Sequence, residues 1–240
     1  MRIGILRAGR VPDQLAQHGD YDAMIRDLLS GQGFAFQSWA ALEGELPASP
    51  GDMDGWLITG SRHGVYEDLD WIAPLEGFVR LAYDTGVPVV GICFGHQLLA
   101  RALGGRVEKF EGGWSVGLTR HDTGDHLMTW HQDQVIVPPP GAVTRASTGH
   151  CRHAVLAYGD RALGIQAHPE YGAAFLDGLL RLRASALPPG LAEAARARLR
   201  DAPPDQARYA DLIAEFFHRD RSHDAHHLSG GQGRSAAAPA

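Results

Sequence analysis

The residue with the clearest chemistry in this sequence is Cys93, which stands between Gly91 and Gly95. It follows a short β-branched apolar run, Val89 to Ile92, typical of a parallel strand covered on both faces. Apolar residues then recur at helical spacing up to Leu103. The pattern G-x-C-x-G at a strand-to-helix turn is the thiol counterpart of the nucleophile elbow, and the helix N-terminus favours a thiolate. We predict that Cys93 is a nucleophile; the alternative is a buried structural cysteine.

A cysteine nucleophile needs a base, and the stretch from Ala162 to Tyr171 offers one. Its apolar residues alternate as in a strand, and this strand runs into His168 and Glu170. Because residues two apart in an extended chain point the same way, the Glu170 carboxylate can orient the His168 imidazole. We therefore predict that Cys93, His168 and Glu170 act as nucleophile, base and orienting group. The alternative for His168 is a loop histidine before a proline turn.

Together, the segments VVGICFGHQLLA and QAHPE resemble the class I (triad) glutamine amidotransferases. That family has a cysteine in a G-x-C-x-G-x-Q elbow and a His-Pro-Glu motif downstream. The resemblance covers roughly residues 1 to 185 and is greatest to single-domain proteins similar to the amidotransferase domain of GMP synthase.

The resemblance also implies further site residues. The donors to the oxyanion would be the backbone N–H groups of Gly60 and Phe94. In place of the family's Gly-Gly-Pro loop, this chain has a single glycine before Ser61, so the assignment of Gly60 departs from the family pattern. The substrate-binding residues implied by the resemblance are Gln97, Trp114 and His131. The alternatives are a core tryptophan for Trp114 and a satisfied strand histidine for His131.

Composition narrows the class of protein further. The chain has 240 residues with 22 Lys and Arg against 28 Asp and Glu, so its net charge of -6 gives no electrostatic reason to expect a nucleic-acid partner. Two cysteines make no disulfide framework and favour a reducing cytoplasm. No apolar run has membrane-spanning length, so we expect no membrane partner. Cys151 lies between His150 and His153, but four ligands at zinc spacing are absent, and we predict no metal.

Strand and helix patterns alternate along the chain, as in a doubly wound sheet. We predict a three-layer α/β fold of the flavodoxin-like, class I amidotransferase type, with a mixed, mostly parallel sheet and helices on both faces. A helix is expected from Tyr66 to Tyr83. The segment from Met128 to Val137 resembles the family's strand stretch of methionine, histidine and aspartate, and the alternative is an antiparallel strand with a satisfied histidine. Three parts are expected: an amidotransferase domain over residues 1–185, a helical extension over 186–219, and a disordered tail over 220–240.

The resemblance implies hydrolysis of the glutamine side-chain amide through a thioester on Cys93, without a cofactor. The chain has no ATP-binding signature, so ammonia would pass to a separate synthetase partner. One alternative is a hydrolase of γ-glutamyl peptides or amides with the same fold. A second alternative is a non-catalytic regulatory subunit.

Overall fold

A computed structural model describes residues 1–219, which fold into alternating strands and helices. The strands are β1 (Arg2–Leu6), β2 (Ala35–Trp39), β3 (Gly55–Ile58), β4 (Val89–Ile92), β5 (Arg106–Lys109), β6 (Ser115–Arg120), β7 (His126–His131), β8 (Asp133–Val137), β9 (Val143–Ala146), β10 (Val155–Tyr158) and β11 (Ala162–Ile165). The helices are α1 (Tyr21–Leu28), α2 (Ile72–Asp84), α3 (Phe94–Ala102), α4 (Ala173–Leu182), α5 (Leu191–Ala197) and α6 (Gln206–His218).

Seven strands form the central sheet in the order β2-β1-β3-β4-β11-β10-β9. The first five are parallel, and β10 runs antiparallel to both of its neighbours. The central strands β3, β4 and β11 are buried along their whole length, as expected for short apolar runs in a parallel sheet. Because β4 and β11 are parallel neighbours, their carboxyl ends meet at one edge of the sheet, which brings Cys93 close to His168.

Helices cover both faces of this sheet. Adjacent residues of β3 point to opposite sides: Ile58 shares a buried cluster with Leu98 of α3, whereas Leu57 shares a different cluster with Ile213 of α6. Helices α2 and α3 contribute to the first cluster, and α1 and α6 to the second. This arrangement confirms the predicted fold class. Within residues 1–219, no helix is both long and apolar enough to cross a membrane.

Two small antiparallel ribbons, β5-β8 and β6-β7, stand beside the main sheet. Strand β7 reaches the site through an isolated bridge between Met128 and His168. The strand stretch expected from Met128 to Val137 is divided between β7 and β8, which pair antiparallel with different partners. The break is stabilised by a hydrogen bond of 3.1 Å from the ring of His131 to the carbonyl oxygen of Asp133.

The helix expected from Tyr66 begins only at Ile72. The Glu67 carboxylate accepts hydrogen bonds from the Gly64 N–H at 2.7 Å and from the His63 ring at 2.8 Å. Such side-chain bonds offer the backbone an alternative to the helix, and here they hold a turn ahead of α2.

The C-terminal helices pack against the rest of the protein. Tyr209, Ile213 and Phe217 of α6 lie in the same buried cluster as the central strands. Ala195 of α5 lies against Gly117 of β6, where a Cβ would come within 3.1 Å. The extension at 186–219 thus contributes to the hydrophobic core, while the predicted disordered tail at 220–240 lies outside the described residues.

Candidate active site

Cys93 sits on a sharp turn between β4 and α3. Its backbone has φ 51 and ψ -100, and it is the one non-glycine residue of positive φ among residues 1–219. Strain of this kind persists where the surrounding structure enforces it, typically at functional sites. A Cβ on Gly91 would lie 2.3 Å from the Gly95 carbonyl, and a Cβ on Gly95 would lie 2.5 Å from the Ile58 carbonyl oxygen. Only glycine fits at both places, so the elbow predicted from the sequence is present.

His168 lies opposite the sulfur. Its backbone N–H donates to the Met128 carbonyl oxygen at 2.8 Å, which ties the end of β11 to β7. The imidazole hydrogen-bonds through Nδ1 to Oε1 of Glu170 at 2.8 Å, and Cys93 lies close enough to interact with it electrostatically. The Tyr171 ring stacks on the imidazole at 3.9 Å with an interplanar angle of 5°. The three predicted residues are therefore neighbours in the order Cys93, His168, Glu170, with the imidazole plane held by Tyr171.

The charges at this site favour a protonated His168. Burial alone would lower the pKa of His168, but the neighbouring Cys93 and Glu170 outweigh it and raise that pKa to about 10. An imidazolium at neutral pH can donate a proton to a leaving group. Burial also raises the pKa of Tyr21 to about 12 and that of Tyr171 well above its ordinary value, so both phenols stay neutral.

The two predicted oxyanion donors border the nucleophile. Phe94 is the first residue of α3, so its N–H has no acceptor within the helix. A Cβ on Gly60 would lie 2.9 Å from Cε1 of His168 and 3.7 Å from the Cβ of Cys93, which places the Gly60 backbone at the reacting groups. Among the described residues neither N–H has an acceptor.

The Gly60 loop is held without the second glycine and proline of the family pattern. The Thr59 hydroxyl accepts from the Ala8 N–H at 2.9 Å and donates to the Gly60 carbonyl oxygen at 3.0 Å. Thr59 is fully buried, so these bonds are shielded from water. A fixed backbone donor is what stabilisation of a developing oxyanion requires.

Cys93 opens into a pocket of about 370 Å³. This volume suits a small ligand. The three residues predicted to bind substrate, Gln97, Trp114 and His131, all line it. Trp114 is in edge contact with Trp130, with ring centroids 6.1 Å apart, and the two indoles form one apolar wall.

His131 presents an acceptor to this pocket. Its Nδ1 lies 3.1 Å from the carbonyl oxygen of Asp133, which can only accept, so Nδ1 carries the proton. Burial lowers the pKa of His131 to about 3, and the ring is therefore neutral. Its Nε2 thus keeps a lone pair, which can accept a hydrogen bond from an amide or an ammonium group.

Gln97 binds protein groups as well as lining the pocket. Its Nε2 donates to the Asp133 carbonyl oxygen at 2.9 Å and to Oε1 of Gln166 at 3.1 Å. Both amide N–H groups of Gln97 are thereby used within the protein, so contact with substrate through its remaining Oε1 stays a prediction.

Sequence reasoning missed two residues of this site, Gln166 and Tyr171. The Gln166 amide nitrogen lies 3.7 Å from the sulfur of Cys93, and Tyr171 is the ring stacked on His168. Gln166 stands two residues before His168, so the alternation used to relate His168 to Glu170 could also have found Gln166.

The cluster around Cys151 has protein partners of its own. His150 hydrogen-bonds to the Gly113 carbonyl oxygen at 3.0 Å, and His153 to the Thr144 hydroxyl at 2.7 Å. Burial raises the pKa of Cys151 to about 12, which keeps the thiol protonated. Within the described part of the chain, no three His, Cys, Asp or Glu side chains are placed to hold a metal ion.

The chain is similar in sequence and in fold to several known proteins. γ-Glutamyl peptidase 5 of Arabidopsis thaliana is 28% identical over 223 residues, which are 83% of this chain and 88% of the relative. The GMP synthase [glutamine-hydrolyzing] of Thermus thermophilus is 43% identical over 100 residues, which are 37% of this chain and 20% of that protein. A glutamine amidotransferase of Thermotoga maritima shares the fold, with a TM-score of 0.71 at 19% identity, covering 91% of this chain and 99% of the other.

The family model described as glutamine amidotransferase class-I matches residues 49–175, a segment that contains Gly60, Cys93, His168 and Glu170. It covers more than half of the chain, which therefore belongs to the class I glutamine amidotransferases, a family of cysteine-dependent amide hydrolases.

Proposed function

We propose that this chain hydrolyses the side-chain amide of glutamine through a thioester on Cys93. The thiolate of Cys93 attacks the carboxamide carbon, and the N–H groups of Gly60 and Phe94 hold the oxygen that becomes negative. The C–N bond breaks as His168 gives its proton to the departing ammonia. The products of this first step are ammonia and a γ-glutamyl thioester.

Water completes the reaction. His168, now neutral, takes a proton from a water molecule, and the resulting hydroxide attacks the thioester carbon. The C–S bond breaks, Cys93 leaves as a thiolate, and glutamate departs with His168 protonated again. Glu170 holds the imidazole through its 2.8 Å hydrogen bond to Nδ1 throughout both steps. No cofactor takes part in this scheme.

The observation that carries this proposal is the 2.8 Å hydrogen bond between His168 and Glu170, with Cys93 and His168 both at the wall of a pocket of about 370 Å³. The test is to incubate the purified chain with glutamine and to measure glutamate and ammonia together. We expect the two products in equal amounts, and none from the Cys93→Ala variant. Equal turnover by that variant would refute the proposal.

We further propose that the ammonia is used by a separate synthetase partner. Support comes from the resemblance to the amidotransferase part of GMP synthase and from the absence of an ATP-binding motif in the sequence. Affinity capture with the Cys93→Ala chain should retain an ATP-dependent enzyme, and addition of that enzyme should stimulate glutamine hydrolysis by the native chain. Glutamine turnover unaffected by every captured protein would contradict this part of the proposal.

γ-Glutamyl peptides are a second candidate substrate. The peptidase relative matches 83% of this chain, whereas the GMP synthase relative matches 37%. The pocket wall also includes Arg183, which has no carboxylate partner among residues 1–219 and could bind the carboxylate of a peptide leaving group.

The two substrates can be told apart by kcat/KM for glutamine and for a γ-glutamyl dipeptide, each with the native chain and with Arg183→Gln. A peptidase should prefer the dipeptide and lose roughly tenfold or more of that preference in the variant, the loss expected for one charge-assisted hydrogen bond. A preference for glutamine that the variant leaves unchanged would exclude this candidate.

A further inference from the structure

We infer that Gln166 is a catalytic residue that donates a hydrogen bond to the reacting sulfur, and that Gln97 is a positioning residue that fixes the direction of that donation. The inference rests on the proposed thioester mechanism and assigns two glutamines of the same site. It begins from the 3.7 Å contact between Nε2 of Gln166 and Sγ of Cys93.

Gln166 is built rigidly into the site. It follows β11 directly and is 1% exposed, and its backbone N–H donates to the Ala154 carbonyl oxygen at 2.8 Å. Cys93 donates its own N–H at 2.8 Å to the carbonyl oxygen of Ile165, the residue before Gln166. The two backbones that hold the amide and the sulfur are thus bonded to each other, which limits their relative movement.

A backbone carbonyl determines which way the Gln166 amide faces. The Asp133 carbonyl oxygen can only accept, so the atom of Gln97 that meets it at 2.9 Å must be the nitrogen. The same nitrogen meets Gln166 at 3.1 Å, so the Gln166 atom there must be the oxygen. Its amide nitrogen is therefore the atom that faces Cys93. The hydrogen bonds from the Asp133 carbonyl through Gln97 and Gln166 to the sulfur of Cys93 thus fix the orientation of both side-chain amides.

An N–H donor at this position favours the thiolate over the thiol, since hydrogen bonds to a charged acceptor are stronger than those to a neutral one. His168 interacts electrostatically with Cys93 but gives up its proton during the proposed reaction, whereas the amide is a donor that keeps its proton throughout. In the proposed mechanism the thiolate is present twice, first as the attacking group and later as the leaving group. Gln166 would stabilise it both times.

The test measures alkylation of Cys93 by iodoacetamide as a function of pH, with the modified Cys93 peptide quantified by mass spectrometry. This readout is independent of glutamine turnover. The variants are Gln166→Leu, which removes the amide; Gln166→Glu, which keeps its shape but replaces the donor by an oxygen; and Gln97→Met, which keeps Gln166 but frees its orientation. Gln134→Leu serves as the matched control, because Gln134 is also buried and bonds a backbone carbonyl, that of His150.

We expect the midpoint of the pH–rate curve to rise by about one pH unit in Gln166→Leu, about a tenfold loss of thiolate at a given pH. The rise should be larger in Gln166→Glu, where a carboxylate faces the sulfur, and smaller in Gln97→Met. Gln134→Leu should leave the midpoint unchanged. Thermal unfolding of each variant identifies those that are folded.

A folded Gln166→Leu variant with the native midpoint would overturn the inference. If Gln166→Leu does not fold, Gln97→Met decides, and a native midpoint there would overturn the inference as well. Absence of glutamine turnover by the native chain would instead count against the proposed function, whereas a shifted alkylation midpoint in the same preparation would still support the role of Gln166.

Discussion

Replacing Gly91 by alanine tests whether the elbow tolerates a side chain two residues before the nucleophile. The added Cβ would lie 2.3 Å from both the carbonyl carbon and the carbonyl oxygen of Gly95. Favourable contacts between heavy atoms begin at about 3.5 Å, so the overlap is about 1 Å against backbone that cannot rotate away. Overpacking costs about 1–3 kcal/mol, and we expect about 3 kcal/mol here because helix α3 must move away from strand β4.

In a domain of this size, that loss of unfolding free energy corresponds to a fall in Tm of about 6–12 °C. Gly77→Ala is the matched control, because Gly77 lies inside α2 and a Cβ there meets nothing within 4 Å. It should stabilise the protein by about 1 kcal/mol, the helix propensity difference between glycine and alanine. The assay is thermal unfolding together with iodoacetamide modification of Cys93. A Gly91→Ala variant with native Tm and native Cys93 reactivity would refute the argument from crowding.

Three further predictions concern the histidines. Glu170→Gln removes a negative charge that raises the pKa of His168. The basic limb of the pH dependence of kcat/KM should therefore shift to lower pH by about 1–3 pH units, and a limb at the native pH would contradict this. Tyr171→Leu removes the ring stacked on His168 and should lower kcat up to about tenfold, whereas Tyr171→Phe keeps the ring and should keep the native kcat. Equal kcat values for the two variants would exclude a positioning role for Tyr171. Burial lowers the pKa of both His96 and His131 to about 3, so below pH 6.5 the unfolded chain binds more protons than the folded chain. The free energy of unfolding should therefore fall by about 2 kcal/mol per histidine between pH 7 and pH 5. The total fall should be smaller in His131→Asn, which lacks one of the two histidines. Equal urea midpoints of the native chain at the two pH values would disprove this prediction.

The elbow and its base could be predicted from the sequence because each is a local pattern. Gly91 and Gly95 are spaced for one tight turn, and His168 and Glu170 are two residues apart, within hydrogen-bonding reach of each other. The meeting of the two segments could not be derived from spacing. It depends on β11 returning to pair beside β4 after an excursion of six strands, and here the family resemblance supplied what the local pattern lacked.

Tertiary contacts account for the features that the sequence did not predict. The side chain of Glu67 holds the turn ahead of α2, although the apolar spacing alone favours an earlier start of the helix. Contact between Gln97 and substrate stays a prediction. The hydrogen bonds of its amide nitrogen to Asp133 and Gln166, which lie 36 and 69 residues away along the chain, could not be predicted from the sequence. Hydrogen bonds between residues so far apart in the chain produce no periodic pattern in the sequence.

The most direct test of the proposed mechanism is to trap its covalent intermediate. The native chain, mixed with glutamine and quenched in acid within the first turnover, should gain the mass of one γ-glutamyl group on the peptide that contains Cys93. Hydroxylamine should remove this group, and Cys93→Ala should never acquire it. Release of glutamate at the native rate by Cys93→Ala, or a γ-glutamyl group found on another residue, would contradict the account.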